Sequence, residues 1–419
     1  MTHGGSIKHR GFVVLGAILI QLCLGAIYAW SVFTKPLFDA GWSRTETQAV
    51  FAAGLALFAI VMVLAGRIMP KIGPKKLAMS GGLVLGLGYL LAGLFGGTNF
   101  WAIFVFIGII GGSGIGLAYV VPIAVGMRWF PDKKGLITGL AVAGFGFGAM
   151  LWVKLAGSWG NLLNPDMLGL SGTFIAYGII FMLAVILGGI WMVFPPEGWK
   201  PEGWEPPMQD EKAEPAAGSV DFQSSQMLRT PQFYMILVTF AFGASAGLMS
   251  IGLMKLFPIH ALTAANVTNA SAIAGTAMAV FFSLANGFGR IAWGAMSDKL
   301  GRKTSIIIMM ASQGVIVILF QWMAGTPALL YLGATLIGFN FGGNFALFPT
   351  ITADTFGSKY IGQNYGWVFL AYGIGGIFGP IMGGRLGDAG NFPLAFTVCG
   401  ILCLIAAGVI SQVKAPKAV

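Results

Sequence analysis

Runs of roughly 20 apolar residues, each long enough to cross a hydrocarbon core as a helix, recur along the whole of this chain. Twelve can be delimited, at 11–38, 46–69, 77–97, 99–124, 135–157, 172–194, 231–256, 270–297, 303–324, 327–352, 361–386 and 391–412. Their length and unbroken apolarity predict helices rather than strands. Only 9% of residues are charged, against about 25% in a soluble domain. The expected class is therefore an all-α protein embedded in a lipid bilayer. The first run is longer than the apolar core of a signal peptide and reads as a span.

The polar stretch PPEGWKPEGWEPPMQDEKAEPAAGSVDFQSSQ separates the sixth run from the seventh and has no helical or strand period. It divides the chain into expected units 1–194 and 231–419 joined by a linker, 195–230. The formal net charge is +10, but 18 of the 24 Lys and Arg fall in the termini, the linker and alternate loops. That asymmetry is the positive-inside pattern of a membrane protein, not a nucleic-acid surface, and it predicts cytoplasmic termini. Cys23, Cys399 and Cys403 lie in apolar runs and suggest neither a disulfide framework nor a metal site.

The two halves repeat. Gly66–Lys75 follows the second run and Gly294–Lys303 follows the eighth, 228 residues later. AVAGFGFG around Phe145 corresponds to FLAYGIGG around Tyr372. Two related six-helix bundles imply a pseudo-twofold axis along the membrane normal, with a site expected between them.

One residue stands out chemically. Arg290 lies inside the eighth run, where an arginine costs roughly 2.5–3.5 kcal/mol on insertion scales. No Asp or Glu falls in the core of any run. The expected partner is an anionic substrate; the competing reading is a structural bond to backbone carbonyls. Asn286, one turn earlier, shares its helix face and is expected to hold the guanidinium or a substrate oxygen. Tyr28, Tyr119 and Tyr372 sit mid-run in the first, fourth and eleventh segments. Each offers one hydrogen bond and an apolar face to a small organic acid. Lys35 and Lys255 lie near outer helix ends, and His260, in the outer loop after the seventh run, is a candidate coupling residue. No His–acid or Cys–His set within a run suggests an enzyme, and no cofactor is expected.

The segment GAMSDKLGRK resembles the G-x-x-x-D-[RK]-x-G-R-[RK] loop of the major facilitator superfamily. The resemblance implies a conformational latch of Asp298, Lys299, Arg302 and Lys303; the first copy has Pro70 in place of the acid. NGFGRIAWGAMSDKLGRK, RWFPDKKGLITGL, MLRTPQF, GGNFALFP and NYGWVFLAYG resemble monocarboxylate transporters and oxalate/formate antiporters within that superfamily. The resemblance assigns Arg290 to a substrate carboxylate and adds Phe145 and Phe341 as cavity aromatics. Tyr372 stands where the oxalate antiporter has a lysine, which suits one carboxylate rather than two. Asn286 stands where mammalian monocarboxylate transporters have an acid, which removes one candidate proton carrier. The expectation is a monomeric, multi-pass transporter of a bacterial plasma membrane that carries lactate-type anions with H+. Carboxylate exchange is the alternative.

Overall fold

The computed structural model describes residues 4–157, 159–201, 203, 221–254, 256–414 and 416. Among the described residues, eleven helices are long and apolar enough to cross a membrane: Arg10–Trp30, Ala49–Ile72, Pro74–Gly96, Phe100–Trp129, Lys134–Ala156, Gly169–Gly189, Pro231–Leu253, Ala270–Leu300, Arg302–Met323, Ile361–Gly387 and Phe392–Ser411. The helix Pro327–Phe356 completes the twelve. It has ample length, but Asn340, Asn344 and its glycines dilute its apolarity. These helices are called the first to twelfth spans, in chain order.

Local chemistry sets the span ends. Ser43 caps the helix Arg44–Ile72 in a capping box with Glu46. Hydrogen bonds from the Ser43 backbone and hydroxyl hold the Glu46 carboxyl below its ordinary range. The repeated loops share one backbone device: Gly73 and Gly301 have φ of +82° and +85°. Only glycine adopts that geometry without strain, so both sharp turns need it.

Regularity breaks in places that apolar runs do not mark. The first span ends in a 3-10 segment, Gly25–Trp30. The third, fourth and eighth contain π-helical segments at Ala92–Gly96, Phe104–Gly111 and Ala277–Phe282. Among the described residues three shorter helices, Ser31–Asp39, Ser224–Met227 and Leu256–Ala264, lie outside the spans.

The chain forms two compact units, Met1–Asp132 with Gly144–Trp204, and Lys133–Ala143 with Glu205–Val419. The opening turns of the fifth span thus group with the second unit. In the first unit the third span packs on the sixth and fourth, the second on the fourth, and the first on the sixth. In the second unit the ninth packs on the twelfth and tenth, the eighth on the tenth, and the seventh on the twelfth. Each pairing recurs six spans later.

Glycines explain why the pattern can repeat. Gly144 and Gly148 bring the fifth span against the Ile18 and Leu22 carbonyls of the first. Gly375 and Gly379 bring the eleventh against the Ala241 and Ser245 carbonyls of the seventh. Small residues at one-turn spacing permit such close crossings in lipid, where no hydrophobic gain drives helices together. Each unit fills the rest of its core with rings. Phe33, Phe174, Tyr177, Tyr89 and Phe181 form a continuous set in the first. Phe240, Phe348 and Phe369 are joined in the second.

A methyl group at Gly289 would collide with the Phe339 carbonyl, whereas one at Gly252 would meet nothing within 4 Å. Gly289→Ala is therefore expected to cost about 1–3 kcal/mol through overpacking. Thermal unfolding in detergent should show a lowered Tm for Gly289→Ala and none for Gly252→Ala.

Candidate functional site

The site residues form two groups, one in each unit. In the second unit the eighth span carries Arg290 eight residues beyond its π-helical segment. The arginine is fully buried. Its Nε donates to Asn286 Oδ1 at 3.2 Å and its Nη1 to the Val142 carbonyl at 2.9 Å. Its Cζ lies 4.1 Å from the centroid of the Phe345 ring. A guanidinium only donates, so the oxygen of Asn286 must face it. The Asn286 amide nitrogen in turn points to the Gly338 carbonyl at 3.5 Å, a marginal bond to the tenth span. Bond, carbonyl and ring together fix the plane of the cation.

Glycines make this geometry possible. Gly342 allows the tenth span to approach the Asn286 carbonyl, and Gly139 allows the fifth to approach that of Arg290. Phe345 is the hub of the surrounding rings. Phe341 and Tyr372 lie 5.3 and 5.5 Å from it, centroid to centroid. Tyr372 also stacks on Phe369 at 5.1 Å. The structure therefore gathers Arg290, Phe341 and Tyr372 around one ring, with Asn286 bonded to the arginine. A confined cation with a planar donor fork, an apolar wall and a nearby phenol is chemically suited to a small carboxylate.

In the first unit Tyr28, Tyr119 and Phe145 meet. Tyr28 and Tyr119 pack edge-on against Phe145 at 5.1 and 5.6 Å. Phe58 joins the set, 4.9 Å from Tyr119. The 3-10 segment presents Tyr28, and Gly25 within it permits contact with the Phe145 backbone. Gln21 Nε2 donates to the Tyr119 carbonyl at 3.2 Å.

The charged loop after the eighth span is built around two acids. Asp298 accepts from the Gly135 and Leu136 backbone N–H groups at 2.9 and 2.8 Å, capping the start of the fifth span. A carboxylate there also complements the positive helix end. Arg302 bridges Asp298 at 2.6 Å and Asp354 at 2.9 Å, and Lys134 reaches Asp354 at 3.2 Å. Of the four expected latch residues, Asp298 and Arg302 lie in this network. Lys303 instead donates to the Val413 carbonyl at 3.1 Å, and Lys299 is exposed.

His260 is exposed on the helix Leu256–Ala264. Lys255, the side chain of Lys35 and linker residues 204–220 lie outside the described residues. Phe345, Val142, Lys134 and Asp354 were not singled out from sequence. Lys134 and Asp354 could have been, as charges at span ends. Nothing in sequence marks the Val142 carbonyl.

The model of the Major Facilitator Superfamily matches residues 13–281 and 244–418. The oxalate:formate antiporter of Oxalobacter formigenes is 28% identical over 406 residues, covering 96% of this chain and 91% of that protein. Apicoplast pyruvate carrier 1 of Toxoplasma gondii is 25% identical, covering 85% and 80%. The crystal structure of the Escherichia coli fucose:proton symporter superposes with a TM-score of 0.67 over 96% of this chain and 99% of that one, at 16% identity. That last likeness is one of fold.

Replacing Phe345 by Leu removes the ring under the guanidinium, a contact worth about 2 kcal/mol or more when desolvated. Phe345→Leu should lower the thermal unfolding midpoint, while Phe345→Tyr, which retains the ring face, should restore most of it.

Proposed function

Because the chain belongs to the Major Facilitator Superfamily, whose members are transporters and not enzymes, we propose that it carries small monocarboxylates of the lactate and pyruvate type by alternating access. The observation that carries this reading is the fully buried guanidinium of Arg290, held in plane by Asn286 and Phe345. An ionised carboxylate is the ligand that such a fork grips best. Relatives named for pyruvate and for oxalate and formate support the substrate class. Tyr372 at the edge of the ring cluster, where the oxalate antiporter carries lysine, favours one carboxylate over two. Within the first unit, the cluster of Tyr28, Tyr119 and Phe145 is the aromatic set we assign to substrate binding.

The energetic logic is charge compensation. A substrate anion neutralises the arginine, so the loaded carrier moves a nearly neutral site through low dielectric. Asp298 and Arg302 act as the latch, with Asp354 and Lys134 as partners. Ion pairs at a helix end can hold one state and release another. We assign the protein to the plasma membrane of a bacterium, as a monomer. Proton symport is the preferred coupling. Exchange of one carboxylate for another is the second reading, favoured by the antiporter among the relatives.

Uptake of labelled L-lactate and pyruvate into proteoliposomes tests the assignment. An inward proton gradient should drive accumulation. If internal formate or oxalate drives it and the gradient does not, exchange replaces symport. Arg290→Gln should weaken substrate binding by roughly 2–5 kcal/mol, a loss of about one and a half to three and a half orders of magnitude in affinity. Retained saturable uptake by the folded variant would refute the role of Arg290.

A further inference from the structure

Arg290 has a second attachment that a substrate-binding role does not require. Its Nη1 donates to the Val142 carbonyl of the fifth span at 2.9 Å. This bond belongs to a row of contacts between residues 133–143 and the rest of the second unit. Gly135 and Gly294 face one another's carbonyls. Gly139 sits against the carbonyl of Arg290 itself. Asp298 receives the Gly135 and Leu136 N–H groups, and Lys134 pairs with Asp354. The start of the fifth span is thus pinned along its length. The outer pins are only partly covered, with Lys134 and Asp354 side chains 21% and 28% exposed. Such ion pairs are individually weak. The pin at Arg290 is fully buried.

The chemistry of this inner pin is one donor with two classes of acceptor. Val142 offers a neutral carbonyl. A carboxylate offers ionised oxygens in a matching fork, and charge-assisted bonds of that kind are roughly twice as strong as neutral ones. Asn286 and Phe345 hold the guanidinium from the Nε edge and from one face. The Nη1 edge is turned towards Val142, so a carboxylate that grips the fork from this edge meets the fifth-span carbonyl.

We infer that Arg290 is a substrate-released pin: it holds the Val142 carbonyl in this structure and transfers that hydrogen bond to the substrate carboxylate, freeing residues 134–143 from the eighth span. The anion is then both cargo and key. It removes the buried pin, and the weaker charged pins at the helix end give way after it. The inference rests on the carboxylate reading of Arg290, and it adds that binding loosens a helix where ligand binding ordinarily tightens one.

Hydrogen exchange followed by mass spectrometry on the full-length protein in nanodiscs tests this, with pyruvate as probe and calorimetry as an independent readout of binding. The expected result is that saturating pyruvate binds and speeds amide exchange across residues 134–143 by about tenfold, as local opening becomes easier. Binding with unchanged or slowed exchange there would overturn the pin and leave the transport assignment standing. If calorimetry detects binding of neither pyruvate, L-lactate, formate nor oxalate, the carboxylate reading falls and the pin falls with it. Gly139→Ala gives a ligand-free test, because its methyl group would collide with the Arg290 carbonyl. It should exchange quickly over 134–143 without pyruvate while peptides of the third span keep the wild-type rate. Wild-type protection over 134–143 in that variant would also count against the pin.

Discussion

In hydrocarbon no water satisfies a stray N–H or C=O, so each membrane-spanning segment must close its own backbone bonds. The helices that result can gain little from one another by burying apolar surface, because lipid is as apolar as leucine. What remains is close contact, and close contact needs glycine. Gly144 and Gly148 against the first span, Gly375 and Gly379 against the seventh, and Gly289 and Gly342 where the eighth meets the tenth are all consequences of that single condition. The same approach that packs the helices also exposes main-chain carbonyls to neighbouring side chains. Asn286 reaches the Gly338 carbonyl and Arg290 that of Val142 because small residues bring these helices within reach.

This gives the buried cation a structural as well as a functional setting. Arg290 needs acceptors, and the helices around it supply an amide oxygen, a carbonyl and an aromatic face. These three partners are neutral, and together they orient the guanidinium plane. Sequence reasoning had set a carboxylate partner against a structural bond to carbonyls. In the structure the carbonyl bond is present.

The helices were legible because apolar runs of membrane length have few other outcomes. The repeat was legible because Gly73 and Gly301 make the same turn, and the same small residues recur where the fifth and eleventh spans cross their partners. The 3-10 and π-helical segments were not, since a register shift in a helix depends on its neighbours and leaves apolarity unchanged. Phe345 escaped notice because an aromatic in GGNFALFP looks like any core residue until its distance to a cation is known. Asp298 and Arg302 stood out through their spacing. Their partners Asp354 and Lys134 lie far away in sequence, so only the fold could join them.

The tenth span has a consequence of its own for assembly. Its length is sufficient, yet it is the one spanning helix not apolar enough to stand among the eleven. Two of its polar groups look to other spans: Asn340 donates to Ser312 of the ninth at 3.1 Å, and Asp354 binds Arg302 and Lys134. In lipid these two side chains depend on the neighbours that take them up. During synthesis it is therefore the segment most dependent on company, stable in the bilayer only once the preceding helices are there to receive it.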